Sequence, residues 1–358
     1  MSEGINTTNL FNLFNHLTKA MYTNILSLAL GLASVPLVAG HPGEDHHKEA
    51  MKRREFLANN VANLDHCAGQ LEASGVTARS IQRRQNLIHG IREKRGLNVR
   101  SEGHVGRSYD AEVSQAATFK SNASCVLAPE EILGPYYVAG EFIRSNVVED
   151  QVGVPVHLDI SFIDVTTCKP LVNSYADIWQ ANSTGVYGGV IQEGFEDRND
   201  SWEDTWGLTW LRGIQKTDND GAVHFETIFP GHYEGRTVHI HVLTHPHATP
   251  LPNNTIIDER ASHVGQMYFD QDLVDRVETL APYNTNQNPK TSNEEDEFLQ
   301  GDLQAGGYPY LQYKLVGDKL EDGLVAWLNF GVNGTQDKVV DPITTYHPRP
   351  TKPANACA

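Results

Sequence analysis

The stretch PGHYEGRTVHIHVLTHPH, residues 230–247, holds the densest set of side chains able to do chemistry. His239 and His241 stand two apart, with Tyr233 and Arg236 just upstream. Side chains two apart on a β-strand point to the same face. If RTVHIHVLT is a strand, both imidazoles share one face while Val238, Ile240 and Val242 pack the other. Such a strand carries either a polar outer face or half of a metal site. Further donors must then come from elsewhere. Carboxylates are not obvious nearby, but tyrosines are. Tyr233 lies in a turn immediately before the histidines, and Tyr187 ends ADIWQANSTGVYGG, a short strand running into a glycine-flanked loop.

A tyrosine in a glycine-rich loop is usually a packing or surface residue. Two of them flanking an H-x-H strand suggest a ligand set. Phenolate is a hard, anionic donor and imidazole a borderline one. Two of each suit a ferric ion, whose charge rewards anionic oxygen and pulls the phenol pKa below its free value of about 10. Structural zinc prefers thiolate and imidazole, and calcium or magnesium takes carboxylates and carbonyls.

The elements that must position these residues are mostly strands. VPVHLDISFIDV alternates, YADIWQA is a short apolar strand, and TDNDGAVHFETI places an Asn-Asp-Gly turn before another. RTVHIHVLT, GQMYFD and GLVAWLNFGV continue the series. Glycine and proline punctuate the connections, and only 271–281 shows a helical pattern between strands. The expected fold is mainly β: an antiparallel or mixed β-sandwich with long loops over residues 125–335, preceded by a short N-terminal helical segment. That segment spans 51–95. Leu57, Val61, Leu64, Ala68 and Leu71 recur at helical steps, Gly75 interrupts, and Ile81, Leu87, Ile88 and Ile91 mark a second helix. Its basic pairs, such as Arg83–Arg84, read as processing sites or, more often, exposed helix charges. A polar linker (41–50) precedes it, an irregular linker (96–124) follows, and a proline-rich tail occupies 336–358.

The formal charge is 28 − 45 = −17 over 358 residues, which argues against nucleic acid and anionic membrane as partners. Residues 1–40 read as a leader and secretory signal peptide, with an apolar run from Ile25 to Val38 and cleavage near Gly40. The run is short for a membrane anchor. Sequons at Asn6, Asn122, Asn182, Asn199, Asn253 and Asn333 agree with a secreted glycoprotein. The four cysteines, Cys67, Cys125, Cys168 and Cys357, allow two disulfides in three pairings. Cleavage after Gly40 would expose His41, which could chelate copper, but a solvated tail is the simpler reading. His224 is expected at the surface, His245 and His247 in an exposed loop, and Trp179 in the core behind Tyr187.

Four blocks in order carry a resemblance: CVLAPEEILGPYYV (125–138), TTCKPLVNSYADIWQANSTGVYGG (166–189), FETIFPGHYEGRTVHIHV (225–242) and HVGQMYFD (263–270). They resemble the intradiol ring-cleavage dioxygenases, non-haem iron(III) enzymes, and within them the secreted fungal branch. The resemblance implies a secreted oxidoreductase that opens catechol-type rings between the two hydroxyls with O2, giving muconate-type diacids. It implies one Fe(III) per chain held by Tyr187, Tyr233, His239 and His241. Tyr187 would be the retained tyrosinate and Tyr233 the axial one that leaves when substrate binds and takes up a catechol proton. Arg236 would face the substrate ring, Gln266 would stand behind the ligands, and Tyr136 and Tyr137 would line the pocket. A homodimer is compatible with it. The blocks also suggest pairing Cys125 with Cys168, leaving Cys67 with Cys357. Tyr233 is only six residues before His239, and Thr237 and Val238 replace the proline and alanine of the intracellular enzymes. Substrate specificity is therefore not carried over. The competing reading is a non-catalytic β-sandwich that binds a metal or a catechol.

Overall fold

The strands of the computed structural model form a six-stranded and a four-stranded sheet, with shorter two-stranded pairs at the periphery. Residues 63–97, 124–126, 136–190, 205, 207–257, 260–336, 338–340, 342 and 344–345 are described. The leader, the polar linker and Cys357 lie outside them. The main strands, in chain order, are β1 (Ser124–Val126), β2 (Pro155–Asp164), β3 (Lys169–Pro170), β4 (Tyr175–Trp179), β5 (Arg212–Lys216), β6 (Ala222–Ile228), β7 (His239–His245), β8 (His263–Tyr268), β9 (Gln312–Leu315) and β10 (Leu324–Val332). In the first sheet β2 and β10 run parallel through the middle. β6 and β3 pair antiparallel along one side of β2, while β9 (antiparallel) and β1 (parallel) share the far side of β10. The second sheet, β8-β7-β4-β5, is antiparallel throughout. The fold is the expected mainly β, mixed arrangement, with a few helices added.

Alternation explains why the sheets face each other. Val156, Leu158, Ile160 and Phe162 of β2, with Phe225 and Phe330, meet Ile178, Ile240, Val242 and Met267 of the second sheet in one core. Each such side chain stabilises the sandwich by about 1.5–3 kcal/mol. The odd-numbered residues of β2 point outward, where helix α1 (Ala68–Ala73) and helix α2 (Val76–Arg95) lie on either side of Gly75. Ile88 and Ile91 of α2 pack on Val325 and Trp327 of β10. Arg83 and Arg84 both reach the Asp159 carboxylate at 2.7 Å. Arg84 is 5 % exposed, so this basic pair is not the exposed pair expected. It neutralises a buried carboxylate that would otherwise be costly.

The disulfide pairing differs from the expectation. Cys67 is bonded to Cys168, with Cα atoms 5.1 Å apart. Cys168 lies in the turn between β2 and β3, beside the start of α1. Cys125 is on β1, and the strand order β1-β10-β2-β3 puts it at the opposite edge of the sheet. Three strand spacings are roughly 14 Å, beyond the reach of about 7 Å that a disulfide allows.

His157 lies against this helical layer at 7 % exposure. Neither ring nitrogen has a hydrogen-bond partner among the described residues. Burial pushes its pKa down to about 4; Glu226 opposes the shift, and His224, Arg95 and Lys94 reinforce it. His224, expected at the surface, is half-buried and stacked on His157 with ring centroids 6.0 Å apart. A folded-state pKa below the unfolded value of about 6.5 means that the unfolded chain binds the proton first. The stability contributed by neutral His157 is complete above that value and is lost as pH falls from about 6.5 toward 4. Thermal unfolding of His157→Asn between pH 7 and 4.5 should therefore show a shallower loss of Tm than the parent. Equal slopes would exclude His157 as a source of acid lability.

Candidate metal centre

Strand β7 occupies the middle of its sheet, between β4 and β8. Val238, Ile240 and Val242 enter the sandwich core, and the imidazoles of His239 and His241 take the opposite face. That face is not open to water, since all seven residues of β7 are buried. His245 is fully buried too, contrary to the exposed loop expected. Pairing of Tyr175 with His245 extends the strand to that point. Its Nδ1 meets Arg260 O at 3.0 Å, and its Nε2 lies 3.8 Å from Asp177. His247, beyond the strand, is exposed.

Two loops cover the histidines and deliver the tyrosines. After β4 the chain turns through Asn182, whose Oδ1 accepts from Thr184 N and Val186 N, both at 3.0 Å. Asn182 O in turn accepts from Gly231 N at 2.9 Å, tying this loop to the one before Tyr233. Gly185 has φ 82°, and a Cβ there would collide with His232 O. Glycine permits both the conformation and the contact. Tyr187 follows, fully buried. Arg212 secures it from behind, its Nε donating to Gly188 O at 2.7 Å, its Nη1 donating to Glu141 at 3.1 Å, and its guanidinium 5.9 Å from the Tyr187 ring centre. Tyr233 is held differently, on a tight turn in which Arg236 N donates back to Tyr233 O at 3.4 Å.

The donor atoms converge. His239 Nδ1 lies 2.6 Å from Thr237 O; a carbonyl only accepts, so this nitrogen carries the proton and Nε2 presents its lone pair. Around that lone pair stand Tyr233 Oη at 3.1 Å and His241 Nε2 at 3.1 Å. The Tyr187 ring lies edge-on to that of Tyr233, with centroids 5.6 Å apart. His241 is fixed by stacking on Trp179, with ring centroids 4.7 Å apart and planes within 4°. Burial, helped by the Arg236 charge, pushes the His239 pKa down to about 3, so this imidazole is neutral and ready to ligate. Burial also pushes both phenols above their ordinary value. Without a cation they keep their protons; a cation among them reverses that preference.

These residues fit a metal ion. One lone pair with two neighbours at the same distance can accept from only one of them, whereas an ion can be shared by all. The imidazole spacing also suits it, since bonds of about 2.1 Å put adjacent ligands about 3 Å apart. Two phenols beside two neutral imidazoles favour a hard, highly charged ion over zinc or calcium.

Arg236 is 1 % exposed beside this cluster. Its Nε donates to Asp296 at 2.8 Å, and its Nη2 donates to Gln266 Oε1 and, at 3.3 Å, to Tyr268 Oη. Burial alone would lower the guanidinium pKa, but Asp296, Tyr268 and Tyr233 together outweigh it and the net shift is upward. Gln266 also accepts from Tyr268 Oη at 2.7 Å, and in the sheet it lies opposite His241. Tyr136 stacks on Tyr187 with centroids 4.4 Å apart and presents an edge to Tyr233. Tyr137, in the same buried cluster, packs against Trp179 with ring centroids 5.2 Å apart. Sequence reasoning missed Arg212, Tyr268, Asp296 and Phe298. Asp296 had a signal, an aspartate just before EFLQGDLQ, as a helix N-cap. Nothing in the sequence links it to Arg236.

Structure and chemistry thus define a β-sandwich with a buried two-tyrosine, two-histidine centre. A sequence model of a family described as "Dioxygenase" matches residues 132–278. An intradiol ring-cleavage dioxygenase from Tetranychus urticae shares 31 % identity, covering 62 % of this chain and 99 % of its own, with a TM-score of 0.47. The dioxygenase domain of a carbohydrate-binding fusion protein from Streptomyces sp. SirexAA-E shares 24 % over 57 % of this chain and 96 % of its own, with a TM-score of 0.34. Catechol 1,2-dioxygenase from Acinetobacter sp. ADP1 shares 17 % over 96 % and 93 %, with a TM-score of 0.36. Comparison with curated proteins returns no match. On the 31 % identity along nearly the whole Tetranychus urticae protein, together with the family match, the chain belongs to the intradiol ring-cleavage dioxygenase family. Members of this family are oxidoreductases that act on catecholic substrates with O2 and are generally dependent on non-haem iron. The matched span ends before Asp296 and Phe298.

Proposed function

We propose that this chain is a secreted, iron(III)-dependent intradiol dioxygenase that opens catechol-type rings between their two hydroxyls, giving muconate-type diacids. The observation that carries the reading is the convergence of the Tyr233, His239 and His241 donor atoms within hydrogen-bond distance, with the Tyr187 ring 5.6 Å from that of Tyr233. Tyr187, Tyr233, His239 and His241 would hold one iron per chain. The ion would supply Lewis acidity, lowering the phenol and catechol pKa values and drawing electron density from the ring toward reaction with O2.

The remaining work falls to the chain. Arg212 and Tyr136 hold Tyr187 between them, which suits a ligand that stays. Tyr233, on its short turn, is the ligand suited to leave, and its freed Oη would accept a catechol proton. Thr237 O keeps the His239 proton on Nδ1, so Nε2 stays a donor to the metal. Arg236 places a permanent positive charge where the ring becomes electron-rich. The covering loops exclude water, which strengthens each of these interactions.

Export is supported by the apolar run at 25–38, by the Cys67–Cys168 disulfide and by the exposed sequon at Asn253. Purified, iron-loaded protein should be burgundy through tyrosinate charge transfer, with absorption that shifts on adding catechol and O2 uptake that follows. A colourless protein that retains no iron would sink the reading. Iron and catechol binding without O2 uptake would instead mark a non-catalytic binding protein. A panel of catechols measured by O2 uptake would identify the substrate.

A further inference from the structure

The 292–304 segment brings two side chains onto Arg236 from a different part of the chain. Asp296 precedes helix α3 (Glu297–Gln304) and caps it, its Oδ1 accepting from Leu299 N at 2.9 Å. The same carboxylate receives Thr237 N at 2.9 Å and Arg236 Nε at 2.8 Å through Oδ2. Phe298, two residues on, lies against the guanidinium, whose carbon is 4.3 Å from the ring centre. Gln266 and Tyr268 take Nη2. Arg236 Nη1 is buried and has no hydrogen-bond partner among the described residues.

A guanidinium has several donors in one rigid plane, so fixing Nε and Nη2 also fixes where Nη1 stands. A buried cationic N–H left without an acceptor is costly unless something else occupies it. Here the carboxylate edge and the aromatic face constrain two of the group's degrees of freedom, in-plane rotation and tilt. We propose that Asp296, assisted by Phe298, is the positioning residue that aims Arg236 Nη1 at the bound catechol, so that the 292–304 segment sets how tightly the substrate is held. This rests on the proposed ring-cleavage function. Asp296 touches no substrate itself and acts through Arg236.

Its capping and clamping roles can be separated by chemistry. Asparagine caps helices about as well as aspartate, and its one side-chain oxygen can still accept from Leu299 N. Its amide nitrogen, standing where Oδ2 was, cannot accept from Arg236 Nε or Thr237 N. Nor can it pair charge with Arg236. Alanine removes both functions. Three variants, Asp296→Asn, Asp296→Ala and Phe298→Leu, should be compared with the parent protein for iron content, Tm, 4-nitrocatechol affinity by its visible absorption, and kcat and KM on catechol. Asp296→Asn should keep its iron and the helix cap, lower Tm because the buried Arg236 loses its counter-charge, and lose 4-nitrocatechol affinity and kcat/KM by about 100-fold, the scale of a misplacement near 1 Å. Asp296→Ala should lose the same affinity and more Tm, since the cap goes too. Phe298→Leu should show a smaller loss, carried mainly in KM. If Asp296→Asn binds 4-nitrocatechol and turns over catechol like the parent while Asp296→Ala fails, Asp296 is only a cap and the proposal is overturned. A parent protein that holds no iron and binds no 4-nitrocatechol overturns the ring-cleavage reading, and this inference falls with it.

Discussion

Replacing Tyr187 with phenylalanine is expected to leave the protein folded but unable to retain iron, whereas the same change at Tyr233 should leave most of the metal in place. The difference follows from how each ring is held. Tyr187 is fully buried, stacked on Tyr136 and backed by Arg212 through Gly188, so its oxygen is delivered at little cost in ordering. Tyr233 hangs on a short turn and bonds to His239 Nε2 at 3.1 Å. Losing a group that merely supports a metal ligand costs roughly 10–100-fold in affinity. Loss of the direct ligand Tyr187 should cost more than that. Tyr233→Phe should instead keep its iron, shift the visible band, and lose kcat, because the oxygen that takes the catechol proton is gone. Iron content by elemental analysis, with absorption spectra of both variants, checks this. Equal iron retention in the two would remove the distinction between a retained and a departing tyrosinate.

Much of this centre could be read from local pattern. Period-two alternation gave His239 and His241 a shared face and marked β2, while short apolar runs and turn residues marked β4, β6, β8 and β10. It could not reveal that the histidine face is covered, because burial there depends on loops contributed from distant sequence. That is why His245 looked exposed and is buried, and why Arg84 looked like an exposed helix charge although it pairs with Asp159. The disulfide failed for a related reason. Proximity of Cys125 and Cys168 to matching blocks says nothing of sheet order, and the order puts them on opposite edges. β5 and β9 escaped notice because each is short and partly polar, RGIQK and QYKL, with little alternation to find. Asp296 escaped because its partner is 60 residues away in sequence.

The Arg236–Asp296 pair supports a second large effect, in which stability and activity should separate. Arg236→Leu should lower kcat/KM by roughly 100–1000-fold, the usual cost of removing a group that meets developing charge. It should also lower stability, since it leaves the Asp296 carboxylate 1 % exposed with backbone N–H donors but no cation. Breaking a buried pair from one side costs about 3–5 kcal/mol. Removing the remaining charge should restore part of that. The double variant Arg236→Leu/Asp296→Asn keeps the cap of α3, gives up the bond from Thr237 N and no longer buries an ion. Its Tm should return part of the way to the parent's while its activity stays as low as that of Arg236→Leu alone. Calorimetry and O2 uptake on the parent, both single variants and the double variant close a cycle whose coupling term measures the pair. A double variant as unstable as Arg236→Leu would show that the arginine stabilises through packing against Phe298 and not through its charge. Recovery of Tm without recovery of turnover would show that the pair stabilises the fold through its charge, while the reaction needs the guanidinium itself.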